Sequence, residues 1–147
     1  MSLATVKSAM ATVLDGITGI DTDHVFVDEP NTTPTKEWMP CLLVTLPRIT
    51  PTAPYQGIVK CVYHFEILYL YAPYELTQPA TAATAIDGYL GLVWDALFGA
   101  FTLSANAVTQ DFDGDVTRPL VQFRDAWYWG IRIPWRVEDR TSATFTA

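Results

Sequence analysis

Along the first seventeen residues, Leu3, Val6, Met10, Val13, Leu14 and Ile17 recur at steps of three and four, with small and polar residues between them. That period lays one apolar stripe along a helix, predicted from Ser2 to Ile17 and ended by Gly16 and Gly19. His24 to Asp28 reads as a short strand. The stretch Glu29 to Pro40 carries Pro30, Pro34 and Pro40 among polar residues and is predicted as a loop; loops of that length in a compact domain usually carry a function or are mobile. Cys41 to Leu46 is an apolar run of strand length, closed in this reading by Pro47, and Arg48 to Gln56 reads as a second Pro-rich loop.

The clearest strand pattern is Ile58 to Tyr71. Its odd positions, Val59, Cys61, Tyr63, Phe65, Ile67, Tyr69 and Tyr71, are all apolar or aromatic, while Lys60, His64 and Glu66 stand at even positions in its first half. One face is expected to be buried and the other partly wet. At about 3.3 Å per residue the strand exceeds about 40 Å, so it is expected to project beyond the core or to be covered by a partner. After Pro73 and Pro79, a second amphipathic helix is predicted from Gln78 to Phe101 through Ala82, Ile86, Tyr89, Leu90, Val93, Trp94 and Leu97. Gly88 and Gly91 inside it suggest a close approach of helix to sheet.

Ala105 to Phe112 reads as a strand followed by an Asp113-Gly114 turn. In the last strand, Trp127, Trp129, Ile131, Ile133, Trp135 and Val137 alternate with Tyr128, Gly130, Arg132, Pro134, Arg136 and Glu138. Pro134 lacks a ladder donor, which predicts an edge strand or an end to its inner half. The element order α-β-β-β-α-β-β defines an α+β domain over residues 1–139, with two helices on one face of a largely antiparallel, twisted sheet of four to five strands. Residues 140–147 are read as a flexible tail.

Composition narrows the function. A 147-residue chain that is half hydrophobic and 13% aromatic suits a single folded domain and argues against disorder. A net charge of −7 argues against a surface that grips a phosphate backbone. The N-terminus has no basic cluster before a long apolar run, and no segment reaches the length of a membrane span, so a soluble protein made in a cytoplasm is expected. Cys41 and Cys61 fit no metal or redox spacing and are read as buried reduced thiols.

Candidate chemistry is sparse. Asp111, Asp113 and Asp115 beside Gly114 have the alternation of a calcium loop, but Val116 and Gln122 stand where an EF-hand needs Gly and Glu; solvated carboxylates on a turn are the simpler reading. His24 and His64 alone do not fill a catalytic zinc shell, and Cys61 and His64 point to opposite faces of their strand. No phosphate loop, nucleophile elbow or His-Glu-x-x-His helix is present. No catalytic, cofactor or metal residue is therefore assigned. The strand aromatics Tyr63, Phe65, Tyr69, Tyr71, Trp127, Trp129 and Trp135 are read as core. Tyr74 and Tyr128 fall out of the core phase and are better suited to an interface, where Tyr is enriched.

The order of these elements resembles the tail terminator proteins of long-tailed bacteriophages, also called tail completion or head-tail joining proteins. The resemblance is carried by the N-terminal helix, the loop leading into Trp38-Met39-Pro40-Cys41-Leu42-Leu43-Val44, the strand ending Tyr69-Leu70-Tyr71-Ala72-Pro73-Tyr74-Glu75, the Ala-rich helix, the Asp-rich hairpin and the closing Trp-rich strand. It covers residues 2–139. It implies a non-enzymatic virion protein at the tail-neck junction, assembled in the host bacterial cytoplasm as a homohexameric ring. Such a ring ends polymerisation of the tail tube protein and presents a surface to a head-completion or neck protein. DNA would pass through an acidic bore without tight binding.

A ring closed by heterologous contacts needs two different surfaces on each subunit. The candidate interface residues are Trp38, Tyr55, Tyr71, Tyr74, Glu75, Asp111, Asp113, Asp115, Tyr128, Arg132 and Arg136, the two arginines reading equally as intersubunit ion-pair partners or as a solvated strand face. Two rival readings are a related tail tube or minor tail component, and a small-ligand-binding domain that uses the aromatic sheet as a pocket wall.

Overall fold

A computed structural model of the chain describes residues 3–17, 24–27, 39–55, 58–74, 79–99 and 109–144. Two helices, α1 (Leu3–Asp15) and α2 (Pro79–Gly99), accompany six strands: β1 (Val25–Phe26), β2 (Cys41–Tyr55), β3 (Ile58–Pro73), β4 (Thr109–Phe112), β5 (Leu120–Phe123) and β6 (Ala126–Thr144). The strands form one sheet in the order β1-β2-β3-β6-β4, with β5 also paired to β6. Only the β1–β2 pair is parallel, so the architecture is α+β with a mostly antiparallel sheet.

The main core lies between the helices and one face of the sheet. Val6, Met10 and Leu14 of α1 and Ile86, Val93 and Leu97 of α2 pack with Tyr63, Phe65, Ile67 and Tyr69 of β3 and Ile131, Ile133, Trp135 and Val137 of β6. These are the residues that the helical and strand periods select. Phe112 joins them through edge-to-face contacts with Trp94, Phe98 and Trp135, at centroid distances of 5.2, 5.5 and 5.2 Å. Gln110 is the buried polar residue that completes this corner. Its amide donates to the Leu97 carbonyl at 2.7 Å, near the end of α2, and its oxygen accepts the Trp135 indole N–H at 3.1 Å. A helix-end carbonyl and an indole that burial would otherwise leave unsatisfied are both matched.

The opposite face of the sheet holds a second, smaller core that the sequence reading did not anticipate. Cys41 and Leu43 of β2, Leu68 and Leu70 of β3, Val121 and Phe123 of β5 and Tyr128 of β6 are buried together. Burial pushes the Cys41 thiol up to about 12. Cys61 is partly exposed, and both thiols are free.

Several expectations are corrected. β2 does not stop at Pro47, and residues expected as a loop from Arg48 continue the strand to Tyr55. A register shift between Thr45 and Arg48 absorbs Pro47, and among the described residues β1 pairs with β2 only at Leu42 and Leu43, so the prolines beyond lie on an edge where a missing donor costs little. β5 was not expected at all; its four residues are too few to show a period. Pro134 lies not on an edge strand but on β6, between β3 and the β4/β5 flank. Its carbonyl accepts from Asp113 N at 3.0 Å, in the gap between β4 and the isolated Thr117–Arg132 bridge, so the flank lacks a regular ladder partner where the proline lacks its N–H.

β6 runs to Thr144, paired back to Ile58, where the sequence reading began a tail at residue 140. Gly88 and Gly91 do not mediate a close approach, because a Cβ at either would meet open space. The close approach is at Gly130, where a Cβ would overlap the Tyr69 carbonyl oxygen of β3. The strand predicted over Ala105 to Phe112 is seen as Thr109–Phe112, its earlier part lying outside the described residues.

Candidate functional site

The polar surface begins where the helix-covered core ends. β2 and β3 pair as a long ribbon from Cys41↔Leu70 to Tyr55↔Ile58, and β6 follows β3 to Ile58↔Thr144. On β2, Arg48, Ile49, Thr50 and Pro51 are all exposed, so neither face of that strand is covered there. The even face of β3 carries His64 and Glu66 at this level, as the alternation predicts.

His64 is the centre of this surface. Its Nδ1 lies 2.7 Å from Asp113 Oδ2, and its Nε2 lies 2.8 Å from Thr50 Oγ1. Arg48 Nη2 approaches the same Nδ1 at 3.3 Å. A guanidinium donates only, and Nδ1 carries its proton toward the shorter carboxylate contact, so Arg48 acts here as a neighbouring cation and not as a hydrogen-bond partner. The group fastens the β2–β3 ribbon to the turn after β4. It borders an open cavity of about 460 Å³ lined by Pro47, Arg48, His64, Phe65, Glu66, Asp113 and Pro134.

The hydroxyl–imidazole–carboxylate order is that of an activated nucleophile. Such an array acts together with donors placed to hold a developing oxyanion, and Thr50 stands exposed on the strand between Ile49 and Pro51. Among the described residues no group of three or more His, Cys, Asp or Glu side chains is arranged to hold a metal ion.

A second cavity, of about 340 Å³, lies beside the β5–β6 hairpin and is lined by Thr117, Leu120, Val121, Gln122, Arg124, Trp127 and Arg132. Trp127, assigned by alternation to the core, is 50% exposed here, beyond the reach of the helices. Arg132 Nη2 donates to the Gln122 carbonyl at 2.9 Å, so this side chain is held from within its own chain.

The candidate interface residues fall into distinct settings. Trp38 and Glu75 lie outside the described residues, as does the side chain of Tyr55. Tyr74 is 50% exposed and packs on Trp129, with ring centroids 5.4 Å apart, while its carbonyl accepts the Trp129 indole N–H at 3.2 Å. Tyr71 is half-buried against the main core. Tyr128 is only 2% exposed and fills the second core. Its phase was read correctly, but the face was assumed to be wet.

Asp111 and Asp115 are exposed, and Asp111 accepts its neighbour Phe112 N–H at 2.7 Å. Asp113 is partly buried and committed to His64 instead of standing solvated on the turn. Arg136 pairs with Glu138 of its own strand at 3.3 Å. The structure thus brings Asp113 together with His64, and Arg132 with Trp127, but does not gather the predicted residues into one patch. The His64 group was missed because it joins three segments far apart in sequence; the only signal was a lone histidine on a polar strand face.

Among the described residues no helix is long and apolar enough to cross a membrane. A scan against protein-family models gives no match, and a search of the curated proteins finds no match either.

Proposed function

We propose that the chain is a non-enzymatic ring subunit of a phage tail, a tail terminator that assembles as a homohexamer at the head-proximal end of the tail tube. The observation that carries this reading is the β2–β3–β6 ribbon, which runs past the helix-covered core and leaves Arg48 to Pro51 exposed on its edge. Long strands beyond a small core are what a subunit uses to reach its neighbours. Pro47, Pro51 and Pro54 along that edge oppose open-ended strand addition, which favours a closed assembly over a fibre. In this reading one end of the ring meets the tube protein and the other a neck protein. DNA passes a bore that the net charge of −7 keeps from binding it tightly. The virion, at the tail-neck junction, is its final location.

Light scattering across a concentration series, with negative-stain images of the same sample, tests this. Closed particles of about 98 kDa, six copies of a 16.4 kDa chain, are expected. Open stacks of rings would favour a tube component, and a monomer that forms no ring even with tail tubes added would overturn the proposal. The reading as a small-ligand domain is less favoured, because Tyr63, Phe65, Tyr69 and Trp135 of the aromatic sheet are packed in the core with α1 and α2.

A further inference from the structure

The cavity beside the β5–β6 hairpin has a charge opposite to that of the chain. Among the described residues its lining holds two arginines, Arg124 and Arg132, and no carboxylate, in a sequence with sixteen acidic and nine basic residues. Arg132 Nε is buried without a hydrogen-bond partner among the described residues, although Nη2 of the same guanidinium is held by the Gln122 carbonyl. A carboxylate oxygen is the natural acceptor for such a donor, and the Nη2 bond to the Gln122 carbonyl already orders the guanidinium.

Arg124 adds a second, independent sign. It occupies the two-residue turn between Phe123 and Ala126, the last cross-strand pair of the hairpin, and its φ is 55°. That left-handed conformation suits glycine at the first position of a tight hairpin turn and strains a residue with a Cβ. Its guanidinium carbon lies 5.1 Å from the centre of the Phe123 ring, which holds the cation at the hairpin tip. Strain tolerated where glycine would relieve it points to a use for the side chain. Trp127, half exposed on the same cavity, supplies an aromatic wall of the kind found at the centre of protein interfaces.

We infer that this cavity receives a carboxylate side chain from a second copy of the chain. The inference rests on the ring reading for its partner, but not for its chemistry. Arg132 alternates with Ile131 and Ile133, which face the helices, so it points to the other side of the sheet. Asp95 stands exposed on α2, on the helix side. These are two unlike surfaces, as a heterologous ring contact requires, and the α2 surface is the donor.

The test compares wild type with Arg124→Gly, Arg132→Gln and Asp95→Asn in dilution series by light scattering, with thermal melting of each. All three are expected to raise the concentration for half-assembly at least tenfold. Arg124→Gly should melt no lower than wild type as a monomer, because glycine suits the turn; its loss of assembly is then not a loss of fold. Assembly of Arg124→Gly and Arg132→Gln at the wild-type concentration overturns the proposal, and assembly of Asp95→Asn alone at that concentration overturns α2 as donor.

A second arm titrates poly-L-glutamate and follows tryptophan emission. Saturable change in wild type that Arg124→Gly abolishes supports the carboxylate site, and no change overturns it. If wild type stays monomeric at every concentration, with tail tubes added as well, yet binds poly-L-glutamate in this way, the ring reading and the second copy fail while the carboxylate site stands.

Discussion

Two stretches of β3 differ in how they are covered. From Ile67 to Leu70 every residue is buried, because the helices cover one face and the second core the other. From Cys61 to Glu66 only Tyr63 and Phe65, which face the helices, are buried, and the alternate side carries His64 and Glu66. One strand therefore anchors the fold with one half and offers a polar surface with the other. A substitution should cost according to which half, and which face, it touches.

The largest loss is expected for Phe65→Ala, which removes a buried ring from the main core and should cost about 3 to 5 kcal/mol in denaturant unfolding. A cost well under about 1 kcal/mol would mean that this face is not packed as described. Leu68→Ala tests the second core and should cost about 2 to 5 kcal/mol; a value near zero would reduce that face to a surface patch. Gln110→Ala leaves the Leu97 carbonyl and the Trp135 indole N–H without partners and should cost about 2 to 4 kcal/mol. Crystallographic recovery of a water bridging those two groups would explain a smaller figure.

Cys41 sharpens the comparison through pH. Its thiol is held up to about 12 in the fold against 9.0 when unfolded, so between those values the folded state keeps a proton that the unfolded state releases. The resulting stability is complete below pH 9.0 and is lost as pH rises toward 12, at up to about 1.4 kcal/mol per pH unit. Tyr69 is raised by burial and Tyr128 likewise, which adds alkaline sensitivity in the same direction. Cys41→Ala should flatten, but not abolish, the fall in melting temperature between pH 9 and 11. Unchanged slopes would show that the second core admits water. The smallest effect is expected for His64→Gln on the open half, about 1 kcal/mol by thermal or chemical unfolding, since its partners remain accessible to solvent. A loss as large as that of Phe65→Ala would make the His64–Asp113 contact a structural centre instead of a surface fastening.

Much of this division can be seen in the pattern of residues. Apolar odd positions from Val59 to Phe65 with Lys60 and His64 between them, then the unbroken apolar run Ile67-Leu68-Tyr69-Leu70, already separate one-sided from two-sided burial. What covers the second side is less visible, because Val121 and Phe123 come from a four-residue strand too short to show a period and Tyr128 from the face of β6 that alternation sets opposite the main core. Proline misled twice. Pro47 and Pro134 look like breaks, yet one sits in a register shift beyond the pairs that β1 makes with β2 among the described residues and the other opposite a gap in the flanking ladder.

By itself, the sequence determined the two helices, the long third strand, the final strand and the identity of the main core, because hydrophobic period is a local property of the chain. Tertiary structure decided that Tyr128 is buried and Trp127 exposed, that His64 meets Asp113 and Thr50, and that Arg124 and Arg132 line one cavity. Each depends on strand order and register, which bring together residues remote in sequence or turn a face toward or away from a covering layer, and neither order nor register is written in the period of any one segment.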